Sequence, residues 1–309
     1  MITDAALAVP LSGEQYEITA GPVRATVVAA GGGLRELHHG DRALVLGYDA
    51  DEPVPGGAGQ LLMPWPNRVA GGRYRFAGEE HRLVLTEPTN AVHGLVRWAT
   101  WTVDERATDR IVLRHRMHSQ PGYPHVLDLA VTYQVSADGL RCRMSATNVG
   151  SRPAPYGHGA HPYLTVGLPL DECVATVPAE RVALFDERSL PVGITNVGEQ
   201  DADLRHPRAL AGRAWHYAYT DLVRDEAGRA WSRLAPAVGG PGVALWVDEG
   251  FGWLQVYSGD GLPPGLSRRG LAIEPMSCPP DAFNSGIGLV VLAPGERCDG
   301  EWGIAASGT

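Results

Sequence analysis

The segment Gly157-His158-Gly159-Ala160-His161-Pro162-Tyr163 sets two histidines three residues apart among small neighbours, after a proline-rich approach at Pro153 and Pro155. An imidazole titrates near neutrality, so either ring can hand over a proton or take one, and small neighbours leave room for a ligand. Local sequence leaves two other uses open: a buried, hydrogen-bonded structural histidine, and a metal site built on His158, His161 and His93. Further along, the run Ile273-Glu274-Pro275-Met276-Ser277-Cys278-Pro279-Pro280-Asp281-Ala282-Phe283-Asn284 ends an apolar stretch with a carboxylate and a rigid proline turn. Apolar flanks desolvate the Glu274 carboxyl and raise its pKa towards the range of a working base. The alternative is a glutamate tied to backbone amides at the turn.

Two earlier segments place hydrogen-bond donors beside aromatic rings. The first runs from Gly59 to Gly72 with Trp65, Asn67 and Arg68, and the second from Thr89 to Trp98 with Asn90, His93 and Gly94. Asn67, Arg68 and His93 suit sugar hydroxyls, and a tryptophan offers a face on which a pyranose packs. Taken singly, Trp65, Trp98 and Trp101 read as core.

The elements that must position these groups are strands. Leu127, Leu129, Val131, Tyr133 and Val135 alternate with polar or small residues, the Ala137-Asp138-Gly139 turn follows, and Leu140, Cys142, Met144 and Ala146 resume the alternation. That pattern predicts a hairpin. Similar signals recur at Tyr74 to Phe76, at Ile111 to Met117, and at Val243 to Tyr257 with its central Gly250 and Gly252, while helical spacing is confined to a short turn near Asp281 to Ser285. The 39 glycines and 24 prolines punctuate these segments rather than forming a linker, so no domain boundary is expected. Many short strands with turn-rich loops predict an all-β sandwich whose loops carry function.

Composition narrows the chemistry further. All 26 basic residues are arginine, which removes lysine Schiff-base enzymes and a Walker A loop. A net charge of −9 without long runs of one sign argues against nucleic acid and anionic membrane as partners. Cys142, Cys173, Cys278 and Cys298 are too sparse for a disulfide framework. The N-terminus from Met1 to Ala6 lacks a signal-peptide pattern, and no apolar run reaches membrane-spanning length. A cytoplasmic protein acting on a small polar molecule is expected.

In order along the chain, Asn67-Arg68, Asn90 to Gly94 as N-x-x-H-G, His161-Pro162-Tyr163 as H-x-Y, and Glu274 with Pro280-Asp281-Ala282-x-Asn284 resemble the motifs of the aldose 1-epimerase (galactose mutarotase) family. The resemblance implies one large β-sandwich over residues 1–309, a sugar substrate held in an open cleft, no metal or organic cofactor, and either a monomer or a homodimer. It implies Glu274 as catalytic base and His161, protonated at rest, as catalytic acid, exchanging the α and β anomers by ring opening and reclosure. Arg68, His93 and Asn67 would bind and orient the sugar, and Asp221 in Tyr219-Thr220-Asp221-Leu222 matches an acidic sugar contact. Gly159-Ala160, Pro162 and Met276 depart from the usual neighbours of the catalytic pair. They resemble a bacterial branch linked to sugars other than galactose, including sulfonated glucose. Three rival readings accompany this one: a non-catalytic sugar-binding sandwich, a glycoside hydrolase using Glu274 and Asp281, and an epimerase of a phosphorylated hexose.

Overall fold

The alternation from Leu127 to Ala146 folds as the hairpin it predicts. In the computed structural model, which describes residues 9–308, strands Leu127–Ser136 and Gly139–Asn148 pair antiparallel, from Leu127 opposite Asn148 to Ser136 opposite Gly139. The stretch from Met1 to Ala6 inspected for a leader lies outside the described residues. The hairpin sits within a nine-stranded antiparallel sheet that begins with Thr102–Arg106 and Arg110–Met117. It continues beyond the hairpin through Arg297–Ser307, Gly242–Val247, Ala230–Pro236, Cys173–Thr176 and Arg208–Ala209.

A second, eight-stranded sheet carries the segments of chemical interest. Its order is Pro191–Asn196, Ala179–Phe185, His216–Leu222, Trp253–Tyr257, Leu271–Met276, Gly159–Ala160 and Leu61–Leu62, with Tyr163–Leu164 also paired to Leu271–Met276. Leu129 and Val131 of the first sheet share one core with Leu254, Val256, Leu271 and Ile273 of the second. Successive strand residues point to opposite faces, so Gln255 and Glu274, one residue out of phase with that set, turn to the far face of the second sheet. This all-β, sheet-on-sheet arrangement is the one predicted.

Two local readings change. The alternation from Val243 to Tyr257 is two strands, Gly242–Val247 and Trp253–Tyr257, that lie in different sheets, and the chain crosses between them at Gly250 and Gly252. Glu274 does not close its strand, which continues through Pro275 to Met276 and is buried along its whole length. The short turn near Asp281 is a single helical turn, Ala282–Ser285. All four cysteines are free thiols, and no helix among the described residues is long and apolar enough to cross a membrane.

Candidate active site

Strand register brings the two proton-transfer candidates together. Gly159 lies opposite Met276 and Tyr163 opposite Ala272, so counting two residues inward from each pair sets His161 across from Glu274. On its other side Glu274 pairs with Gln255. Same-face cross-strand neighbours are close enough for side chains to touch, and His161 Nε2 lies 3.3 Å from Glu274 Oε1. Both residues are buried, at 4% and 2% exposure.

Burial shifts the titration of both. Desolvation pushes Glu274 up to about 8 against the opposing pull of the Arg68 charge. The same desolvation, reinforced by Arg97, brings His161 down to about 3. Desolvation thus works against a charge on either member of the pair. The same burial works against the expected imidazolium at rest, because a charged ring inside a desolvated site is costly.

The Asn67-Arg68 and N-x-x-H-G motifs are two strands of one ladder, with Arg68 opposite Val92 and Ala70 opposite Asn90. At its end the His93 N–H donates to Asn67 O (2.8 Å) and the Asn67 N–H donates to His93 Nδ1 (3.2 Å). Because Nδ1 accepts, the His93 proton is on Nε2, a donor for a ligand oxygen. Burial, together with the charges around it, keeps this ring neutral. Gly94 follows at φ 72°, where a Cβ would stand 2.0 Å from Met63 O, so the H-G pair needs its glycine. Arg68 is held bidentate by Glu87 (Nε 2.9 Å, Nη2 2.8 Å) and also donates from Nη1 to Asn67 Oδ1 (3.2 Å). Asn67 Nδ2 continues the chain to Gln255 Oε1 (3.2 Å), beside Glu274.

These groups line a cavity of about 540 Å³ together with Arg97, Trp98, Tyr163, His216, Gln255, Tyr257 and Leu262. Glu274, His161, Arg68, His93 and Asn67 thus line one cavity. Asp221 does not reach the cavity: it is exposed and pairs with Arg181 at 3.4 Å. Along His216–Leu222 the cavity face is set by His216, in phase with Ala218 opposite Gln255, and the extended alternation breaks at Asp221, whose φ is 54°. His158 is out as well. Three residues from His161 on an extended segment, it turns inward against Phe251, ring centroids 4.8 Å apart, so a site combining His158 with His161 and His93 does not form. Asp281 accepts from the Ala70 N–H (2.8 Å) and from Asn284 Nδ2 (2.7 Å), which makes it a brace for the Arg68 strand rather than a second carboxylate of a hydrolase.

One ligand atom from each of His93, His161 and Glu274 lies within 4.8 Å of the others. Each of the three also lies within reach of a sugar hydroxyl in the cavity, and His93 Nε2 is a donor to it. Trp65 and Trp101 are core, at 2% and 1% exposure, whereas Trp98 stands 66% exposed on the cavity rim. Sequence reading missed Glu87, Arg97, His216, Gln255 and Tyr257. The available signal was a lone Gln255 on the polar phase of an apolar strand.

A separate concavity on the outer face of the nine-stranded sheet is lined by charged residues that are already paired, among them Arg143 with Asp299 (3.3 Å) and Arg141 with Glu301 (3.6 Å). The proton-transfer pair lies in the first cavity.

Comparison with known proteins agrees with this geometry. Residues 14–304 match the family model described as aldose 1-epimerase. The chain is 36% identical over 292 residues to the uncharacterized protein YihR of Escherichia coli (strain K12), covering 92% of this chain and 91% of that one. It is 25% identical over 318 residues to galactose mutarotase of Bos taurus, covering 93% and 92%. In structure it resembles the GalM/aldose epimerase homologue from C. elegans, with a TM-score of 0.85 at 19% identity over 96% of this chain and 99% of that one, a likeness of fold. The fold, the ordered motifs and the family match together establish that the chain belongs to the aldose 1-epimerase family and is an isomerase.

Proposed function

We propose that this enzyme interconverts the α and β anomers of a free hexose by acid–base ring opening and reclosure. The observation that carries the reading is the buried His161–Glu274 contact on the floor of an open, donor-lined cavity. With the proton on His161, the Glu274 carboxylate takes the C1 hydroxyl proton, the C1–ring-oxygen bond breaks, and His161 protonates the ring oxygen. The aldehyde rotates about C1–C2 and the reverse transfers close the ring on its other face. The sugar gains one proton and loses one, so the pair ends as it began. Ring opening leaves the proton on Glu274 and reclosure leaves it on His161 again; the Arg68 charge favours the Glu274 carboxylate that begins the cycle. His93 and Arg68 orient the hydroxyls and polarise the ring oxygen.

The test is anomer exchange by NMR with freshly dissolved single anomers of glucose and galactose. No acceleration above the buffer rate with any sugar would leave only a sugar-binding protein.

A second reading, a hexose bearing a phosphate or sulfonate, is favoured by Arg97. This residue lines the cavity and, among the described residues, has no carboxylate within salt-bridge distance; its Nη2 donates to Val92 O at 3.3 Å. The same exchange assay with a hexose 6-phosphate and a sulfonated hexose separates the readings. Arg97→Leu should raise KM for the charged sugars about 10-fold or more relative to the neutral ones. Equal effects on both would remove the anionic substrate.

A further inference from the structure

His161 lacks the second hydrogen bond that ordinarily fixes a proton-transfer imidazole. Its Nε2 meets Glu274, but its Nδ1 is buried and has no partner among the described residues. With no such tether, rotation of the ring would carry Nε2 away from the carboxyl.

Packing supplies the constraint. Tyr163, two residues along and hence on the same side of the segment, lies nearly parallel to the imidazole, with centroids 5.0 Å and planes 22° apart. His93 meets the ring edge-on at 5.3 Å and 76°. Tyr163 is itself buried, and its hydroxyl donates to Gly56 O at 3.1 Å. The loop that receives this bond closes on both rings. A Cβ on Gly57 would lie 3.3 Å from His161 Cδ2, and one on Gly56 would lie 3.0 Å from the Tyr163 hydroxyl oxygen. Gly56 and Gly57 adopt φ 54° and 79°, which other residues take only under strain. Just beyond them, the Gly59 N–H donates to His161 O (2.9 Å) and the His161 N–H donates to Gln60 O (3.0 Å), so loop and histidine move as one body.

We propose that Tyr163 is a positioning residue. Its ring, pinned to Gly56, holds the His161 imidazole on Glu274 in place of a hydrogen bond to Nδ1, and the glycines at 56 and 57 let the loop complete the clamp. The proposal rests on anomer exchange being the activity, and its test reads the ring both with and without turnover.

The full-length chain carrying Tyr163→Leu, Tyr163→Phe or Gly57→Ala is assayed by exchange NMR with whichever sugar the wild type exchanges fastest. Thermal melts check folding, and the side-chain ¹⁵N signals of His161, assigned by their loss in His161→Asn, report the ring. Tyr163→Leu should lower kcat about 10- to 100-fold with KM within about twofold, the size of effect seen when the outer support of a functional imidazole is removed. Tyr163→Phe keeps the stack and should recover most of the rate. Gly57→Ala, which presses on the ring with Tyr163 intact, should lower kcat in the same direction. The ¹⁵N pattern should pass from one tautomer in the wild type to an averaged signal in Tyr163→Leu. A Tyr163→Leu enzyme with wild-type kcat, a loss matched by unfolded protein, or an unchanged His161 pattern would each overturn the clamp. A wild type that exchanges no sugar would sink the functional reading, and the ¹⁵N pattern would still decide the role of Tyr163.

Discussion

Glu274 is an acid whose usefulness comes from a costly position. In an unfolded chain it ionises near its ordinary 4.5, and in the folded enzyme only near 8. Between those values the unfolded state binds fewer protons, so the burial cost of this residue grows as pH rises through the window. Glu274→Gln should therefore abolish exchange yet melt higher than the wild type near pH 8, by several kcal/mol, with the gain vanishing near pH 4. A variant that melts lower near pH 8 would place the proton elsewhere. The rate follows the same pair. One proton is shared from about 3, where His161 charges, up to about 8, where Glu274 ionises and no acid remains. The corrected mutarotation rate should hold across neutral pH and fall through about 8, and a rate still climbing there would count against the pair. His161→Asn should cost about 10²- to 10⁴-fold in kcat with the fold retained, read by exchange NMR and circular dichroism. At this scale the sequence was informative, because an acid inside an unbroken apolar run has few ways to stay hydrated. The direction of the pKa shifts was not fully legible, since it depends first on burial under residues from other parts of the chain, and less on Arg68 and Arg97.

At the scale of elements, phase along a strand decides which side chains meet. Asp221 has the chemistry of a sugar contact, but its strand gives the cavity to His216 and turns Asp221 to solvent beside Arg181. Asp221→Ala should leave KM and kcat within about twofold of wild type, and a 10-fold rise in KM would restore it to the site. Asp281 works at the same scale. Its side chain ties the helical turn at Ala282 to the strand that carries Arg68, so Asp281→Ala should lower stability by about 1–2 kcal/mol in chemical denaturation, whereas an unchanged midpoint would remove the brace. The hairpin at Leu127 to Asn148 was fully legible because its pairing is local. The Gly242–Val247 and Trp253–Tyr257 strands, with Gly250 and Gly252 between them, carry the same local signal as a hairpin, and only the sheets they join tell the two arrangements apart.

Across the whole molecule one apolar cluster runs from Ile18 to Ile304 and takes residues from both large sheets. Loss of tertiary packing and loss of strands should then coincide, so unfolding curves from tryptophan fluorescence and far-ultraviolet circular dichroism should superimpose, and separated midpoints would argue for independently folding parts. The sequence by itself determined the strand periodicity, the absence of lysine chemistry, and the presence in order of Asn67, Arg68, His93, His161 and Glu274, because these depend on residue type and on neighbours a few positions away. The tertiary structure decided that His161 faces Glu274 across a strand register, that Asn67 reaches Gln255 188 positions later, and that Asp221 and His158 are excluded. It also decided the burial that pushes the Glu274 pKa up and the His161 pKa down. The physical reason is common to all of these: desolvation and cross-strand contact are properties of residues distant in sequence, and they exist only once the sheets have paired.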